Sequence, residues 1–157
     1  HSPKETGRSF SSNSRLKAKF FSKDVDYPVI ADDSGLCIKA LHNKPGIYSA
    51  RLAKKHGSFH KAMKVILNKL RNKKDRSATF ICSLSFKYPK KKIITVVGKV
   101  HGKISKKILG KKGFGYDPIF IPNHQKKTFG QMLKLKKIYI DHRYVAFKKL
   151  KNKIKIL

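Results

Sequence analysis

The chain has 157 residues, 39% of them hydrophobic, and sets 39 Lys and Arg against 8 Asp and Glu for a formal net charge of +31. That length suits one domain, its dispersed aromatic and aliphatic residues exclude a wholly disordered chain, and no apolar run approaches the ~20 residues that span a bilayer. The N-terminal stretch is polar and does not read as a secretory signal, so a soluble cytoplasmic protein with no membrane partner is expected.

In chain order, Ser9 to Ser22 reads as a helix, with Phe10, Leu16, Ala18 and Phe21 at apolar spacing and Ser11 or Ser12 as its cap. Tyr27 to Ala31 reads as a short buried strand that runs into Asp32-Asp33-Ser34-Gly35, a turn signal, before Leu36 to Leu41 resumes as a strand. The two runs are expected to form a hairpin-like unit, broken again at Lys44-Pro45-Gly46. Phe59 to Leu70 is amphipathic, with Ala62, Met63, Ile66, Leu67 and Leu70 on one helical face. Ser77 to Tyr88 and Ile93 to Val100 predict an antiparallel pair joined by a basic loop. Gly110 to Gly115 is a glycine-rich loop, followed by Asp117-Pro118 and a short strand at Ile119 to Ile121, and a last helix covers about Asp141 to Leu150. Cys37 and Cys82 lie in apolar strand-like runs and read as small buried thiols. Helices mixed with a sheet predict an α/β or α+β domain.

The charge has two readings. It draws any polyanion, nucleic acid included, or it reflects a bias towards lysine with no dedicated surface. The lysines are spread over the whole chain, which is poor evidence for a nucleic-acid groove and leaves only non-specific affinity.

Three groups of residues carry chemistry. Asp32 and Asp33 are adjacent carboxylates in a cationic chain, suited to a hard cation such as Mg²⁺ or serving as a plain Asp-rich turn. In Gly113-Phe114-Gly115-Tyr116-Asp117-Pro118, two glycines flank an aromatic. That pattern lets backbone approach a ligand while Phe114 stacks on a base, or it is a tight turn whose aromatic plugs the core. Asp117 is a candidate acceptor for a base or ribose donor. Lys137 and Asp141 share a helical face, with His142 and Arg143 beside them, an arrangement that alone is an ordinary charged helix start.

Together, the segments ADDSGL at 31–36, PGIYSARLA at 45–53, GFGYDPIF at 113–120 and TFGQM at 128–132, with a downstream Lys and His-Arg, resemble the inosine-triphosphate pyrophosphatase family. Weaker matches at Glu5-Thr6-Gly7, Phe10, Asn13, Lys17, Arg76, Phe80 and Cys82 fill the intervals. The resemblance implies an α/β fold with a mixed sheet, flanking helices and two lobes around a nucleotide cleft. It implies a Mg²⁺-dependent homodimer that cuts inosine, deoxyinosine and xanthosine triphosphates to monophosphate and pyrophosphate. By it, Asp33 helps bind the metal and positions or deprotonates the attacking water, with Glu5 and Asp32 as further metal carboxylates. Lys17 and Lys137 meet the triphosphate. Ser34, Phe114, Gly115, Tyr116, Asp117, Lys137, His142 and Arg143 hold the nucleotide.

Base choice follows from chemistry as well. The Arg143 guanidinium only donates, so it pairs with a 6-carbonyl and leaves an adenine amino group unmatched. The chain departs from the family pattern at Asp141, where Ser is usual, and at Gln131 and Ser12, where Glu is usual. The family's first strand and phosphate loop are not found, so the expectation is one domain over 1–157 lacking them, with a native product extended upstream by about 30–45 residues. The alternatives are a septum-formation-inhibitor type of nucleotide pyrophosphatase, a catalytically impaired family member, and a basic nucleic-acid-binding module on the same fold.

Overall fold

Ser9 opens the first helix, α1 (Phe10–Phe21), in extended backbone, with its hydroxyl accepting from the Ser12 amide at 3.1 Å while the Ser12 hydroxyl accepts from the Ser9 amide at 3.0 Å. The cap is therefore Ser9, two to three residues before the Ser11 or Ser12 that the sequence pattern suggested, and Ser12 is the third helical residue, which closes the box. The computed structural model describes residues 3–154. After α1 come β1 (Val29–Ile38), β2 (Lys44–Pro45), α2 (Ser49–His56), α3 (Phe59–Lys69), β3 (Ser77–Lys87) and β4 (Ile94–Ile104). The chain then continues through β5 (Phe120–Pro122), α4 (Lys134–Ile138) and α5 (His142–Ile154). Short 3₁₀ turns cover Lys39–Leu41, Gly46–Tyr48, Asp117–Ile119 and Phe129–Gln131.

The fold is α/β: one five-stranded sheet in the order β2-β1-β3-β4-β5 with helices around it. β2 pairs antiparallel with β1 at Cys37 and Ile38, and β5 pairs antiparallel with β4 at residues 102–104. The largest departure from the sequence reading lies in β1. Asp32-Asp33-Ser34-Gly35 is not a turn between two short strands but the middle of one ten-residue strand. Gly35 is absent from the positive-φ positions, so the segment stays extended, and its burial alternates at Ala31, Asp32 and Asp33 as buried, exposed and buried. A two-carboxylate, glycine-containing string mimics turn chemistry, but sheet neighbours override it here.

The chain divides into two compact units: His1–Ser34, Ile81–Lys99 and His142–Leu157 form the first, and Gly35–Phe80 with Val100–Asp141 form the second. Each has its own core. In the first, Cys82, Leu84 and Phe86 of β3 and Val96 of β4 pack with Ala146 and Leu150 of α5. The period-2 geometry of β3 sends Ser83 and Ser85 to its other face, where both hydroxyls lie within 2.9 Å of the Ser14 hydroxyl of α1 and satisfy one another. In the second, α3 buries Ala62, Met63, Ile66 and Leu70 against Leu36, Ile38, Phe80, Ile104 and an aromatic group formed by Phe80, Phe120 and Phe129. Arg76 closes this unit by donating to the carbonyls of Leu70, Ile104 and Ser105 at 3.0, 2.8 and 2.6 Å. Among the described residues no helix is long and apolar enough to cross a membrane.

Gly98 lets α5 lie directly on β4. A methyl group there would collide with the His142 carbonyl and the Ala146 amide, and would stand 2.8 Å from the Ala146 Cα. All are backbone atoms, which cannot rotate away. Gly98→Ala is expected to lose about 2–3 kcal/mol, the upper end of overpacking costs, lowering the thermal midpoint by roughly 5–10 °C. A melting curve within a degree of the parent would contradict this packing.

Candidate functional site

In the first unit, chemistry gathers on the α1 face that meets β1. Asn13 and Lys17 are one helical turn apart and project to the same side. Lys17 Nζ lies 2.7 Å from Glu5 Oε1 and 3.2 Å from Asp33 Oδ1, and Asn13 Nδ2 donates to Asp33 Oδ2 at 3.1 Å. The Asn13 side-chain oxygen accepts from the Gly7 amide at 2.8 Å, tying the segment that carries Glu5 to the helix. Burial pushes the Asp33 carboxyl up from its ordinary value, against the opposing pull of the Lys17 ammonium and the Asn13 amide. Burial works to lower the Lys17 pKa, but the hydrogen bond to Glu5 and the two carboxylate charges outweigh it, and the ammonium is held above its usual value. The result is a buried carboxylate kept beside a permanent cation and a second carboxylate.

Asp32 does not join them. Strand alternation turns it to the opposite face of β1, where Oδ2 accepts from Ser34 Oγ at 3.0 Å and pairs with Arg143 Nη2 at 3.3 Å. Among the described residues no three His, Cys, Asp or Glu side chains come together in a way that could hold a metal. Of the three carboxylates expected at a metal, Glu5 and Asp33 share Lys17, and Asp32 lies on the other face of the strand. His142 is buried at the start of α5, and Arg143 beside it is exposed, with Nη1 3.4 Å from His142 Nε2.

In the second unit, the Gly113–Tyr116 turn is built around Asp117. Its Oδ2 accepts from the Phe114 amide at 2.7 Å and from Lys137 Nζ at 2.9 Å. Gly113, at φ +80°, allows the chain to wrap so closely that a Cβ there would strike that same oxygen. Burial raises the Asp117 pKa, while Lys137 and the Phe114 amide pull it down. Asp117 is 1% exposed. Its Oδ2 is committed to the turn and to Lys137. Lys137 also meets Asp141 Oδ2, four residues on and just beyond the end of α4, at 3.5 Å.

Phe114 is 66% exposed, which decides against the core-plug reading. Its ring meets Phe59 edge-on at 5.3 Å, and Phe59 in turn meets Tyr116 at 5.2 Å. Gly115, at φ +63°, faces the Phe59 ring. Tyr116 is buried, its hydroxyl donates to the Ser49 carbonyl at 2.7 Å, and burial raises its pKa.

Sequence reasoning passed over two residues. Ser49 accepts from the Leu36 amide at 2.9 Å, donates to the Gly46 carbonyl at 2.7 Å and offers its own carbonyl to Tyr116, so one serine joins three of the quoted motifs. Phe59 backs the Phe114 turn, and in the sequence it is only the first apolar residue of an amphipathic helix.

The Ham1 family model matches residues 1–153. The dITP/XTP pyrophosphatase of Dictyoglomus thermophilum is 44% identical over 153 residues, covering 95% of this chain and 74% of that protein. The dITP/XTP pyrophosphatase of Clostridium perfringens is 42% identical over 159 residues, covering 96% and 78%. Among solved structures, the Ham1 protein of Staphylococcus aureus superposes with a TM-score of 0.91 at 41% identity, covering 97% of this chain and 79% of that one. The nucleoside-triphosphatase, dITP/XTP pyrophosphatase, of Mycobacterium abscessus gives 0.80 at 33% identity, covering 96% and 78%.

The raised Asp117 pKa has a measurable consequence. Between the ordinary aspartate value and its own higher one, the folded chain keeps a proton that the unfolded chain has released. Stability attributable to this group therefore falls as pH rises through that window. Urea midpoints taken from about pH 4 upwards should show a shallower fall in Asp117→Asn than in the parent, and identical slopes would contradict the burial assigned to Asp117.

Proposed function

The chain belongs to the Ham1 family, and from that premise we propose that it hydrolyses non-canonical purine nucleoside triphosphates, those of inosine, deoxyinosine and xanthosine, to the monophosphate and pyrophosphate. The observation that carries the reading is the buried Asp33 carboxylate, held by Lys17 and Asn13 beside Glu5. A carboxylate raised by burial is suited to take a proton from water near neutral pH. Two carboxylates already sharing one cation, the Lys17 ammonium, are also a donor set of the right chemistry for Mg²⁺, which takes one or two carboxylates and completes its shell with water and phosphate oxygens. Glu5 and Asp33 would hold the ion, and when bound it supplies neutralisation of charge on the phosphate oxygens.

The remaining roles belong to the chain's own side chains. Asp33 orients the attacking water and accepts its proton, so that a hydroxide-like oxygen meets the α-phosphorus and pyrophosphate departs. Lys17 keeps the carboxylates ionised and adds a point charge beside the triphosphate. Lys137 does the same next to Asp117. Phe114, exposed and backed by Phe59, offers a face for the base. The Gly115 backbone, beside the exposed Phe114 in the turn that Asp117 holds, meets the sugar or base, and the buried Tyr116 supports that turn from within. His142 and Arg143 read the purine, with the Arg143 guanidinium donating to the 6-carbonyl, and Ser34 serves the same end of the site.

Pyrophosphate release measured with inosine, xanthosine, adenosine and guanosine triphosphates, with and without Mg²⁺, tests this. The 6-keto, non-guanine substrates should be favoured over ATP by roughly 10²-fold or more, the scale reached by a site built on a substrate hydrogen bond. Asp33→Asn should lower kcat by about 10³-fold with a thermal midpoint close to the parent's, in keeping with the loss of a general base. Activity indifferent to the base, or an Asp33→Asn variant near full activity, would refute it.

A further inference from the structure

Asp32 differs from its neighbour in everything but residue type. Asp33 is buried on the α1 side of β1, whereas Asp32 is about half exposed on the other side, and so is its partner Arg143. Three contacts converge there. Ser34 Oγ donates to Asp32 Oδ2 at 3.0 Å, Arg143 Nη2 donates to the same oxygen at 3.3 Å, and Arg143 Nη1 lies 3.4 Å from His142 Nε2. Ser34 stands two residues along the strand and on the same face as Asp32, so the alternation that separates the two aspartates also supplies the hydroxyl that fixes one of them.

An exposed ion pair of this kind contributes little to stability, and its value lies in geometry. A guanidinium has five donors in a planar fork. With its two terminal nitrogens held by a carboxylate and an imidazole, the plane is fixed while further N–H donors stay available to a ligand. Free on its long side chain, Arg143 would have to surrender that rotamer freedom each time a purine bound.

We propose that Asp32 is a positioning residue for base specificity: it aims Arg143 at the purine 6-carbonyl, with Ser34 bracing Asp32 and no part for Asp32 in metal binding. This rests on the reading of Arg143 as the base-reading group. It also gives the two adjacent aspartates separate work, Asp33 for the phosphate chemistry and Asp32 for the base.

A double-mutant cycle on Asp32→Ala and Arg143→Ala tests it, with kcat/KM for inosine triphosphate relative to ATP as the readout and the free Mg²⁺ dependence of each variant measured alongside. Asp32→Ala should lower that ratio about tenfold, mainly through KM for inosine triphosphate, with Asp32→Glu recovering part of it. In the Arg143→Ala background, Asp32→Ala should change the ratio by less than twofold, because the group it orients is gone. Equal losses in both backgrounds, equal losses for both substrates, or a shifted Mg²⁺ requirement in Asp32→Ala would overturn the proposal. If Arg143→Ala itself leaves the ratio unchanged, the base reading of Arg143 fails. If Arg143→Ala lowers the ratio and Asp32→Ala does not, only the role given to Asp32 falls.

Discussion

The first unit depends on one ammonium group. Lys17 Nζ stands between the carboxylates of Glu5 and Asp33, and Asn13 holds the second oxygen of Asp33 from the next turn of the same helix. A buried carboxylate without such partners costs several kcal/mol, so the presence of Asp33 inside β1 dictates what α1 must present to it. Asn13 and Lys17 at helical spacing meet that demand, and the Gly7 amide on Asn13 draws in the segment that carries Glu5. A helix, a strand and the approach to the helix are thus fixed by one charge that cannot be left alone. The pairing that makes Asp33 tolerable in the fold also fixes both of its oxygens, which is the arrangement the proposed chemistry uses.

The second unit solves a comparable problem with another carboxylate. Asp117 is buried, and its partners are a backbone amide and Lys137. The glycine at 113 exists because the loop passes too near that carboxylate for a side chain. Ser49 does for the neutral groups what Lys17 does for the charged ones, satisfying the Leu36 amide and the Tyr116 hydroxyl from a single residue. Three motifs far apart in sequence are therefore linked by hydrogen bonds that burial makes obligatory.

Where periodicity was strong, the sequence was enough. The α3 stripe at Ala62, Met63, Ile66 and Leu70 was read because the helix buries one face, and β3 was read to within a residue, whereas β4 runs four residues beyond the Val100 where its apolar pattern ends. β1 was misread because carboxylates and glycine are turn residues by local chemistry, and only a sheet neighbour and a partner lysine make them strand residues. The motif resemblance named Asp33, Lys17, Phe114 and Arg143, yet it carried no information on which aspartate faces which way. Treating the two as a pair placed Asp32 with the metal carboxylates, although the period-2 rule alone separates them once the strand is known. That one Asp117 oxygen holds the turn was not legible either, since its burial and its partners are properties of the folded loop.

The proposed chemistry at Asp33 requires water to attack the α-phosphorus, and the position of attack can be read directly from the products. Hydrolysis of inosine triphosphate in ¹⁸O-labelled water, followed by ³¹P NMR, should yield pyrophosphate without label and inosine monophosphate carrying one heavy oxygen. Orthophosphate with inosine diphosphate, or label found in the pyrophosphate, would contradict it.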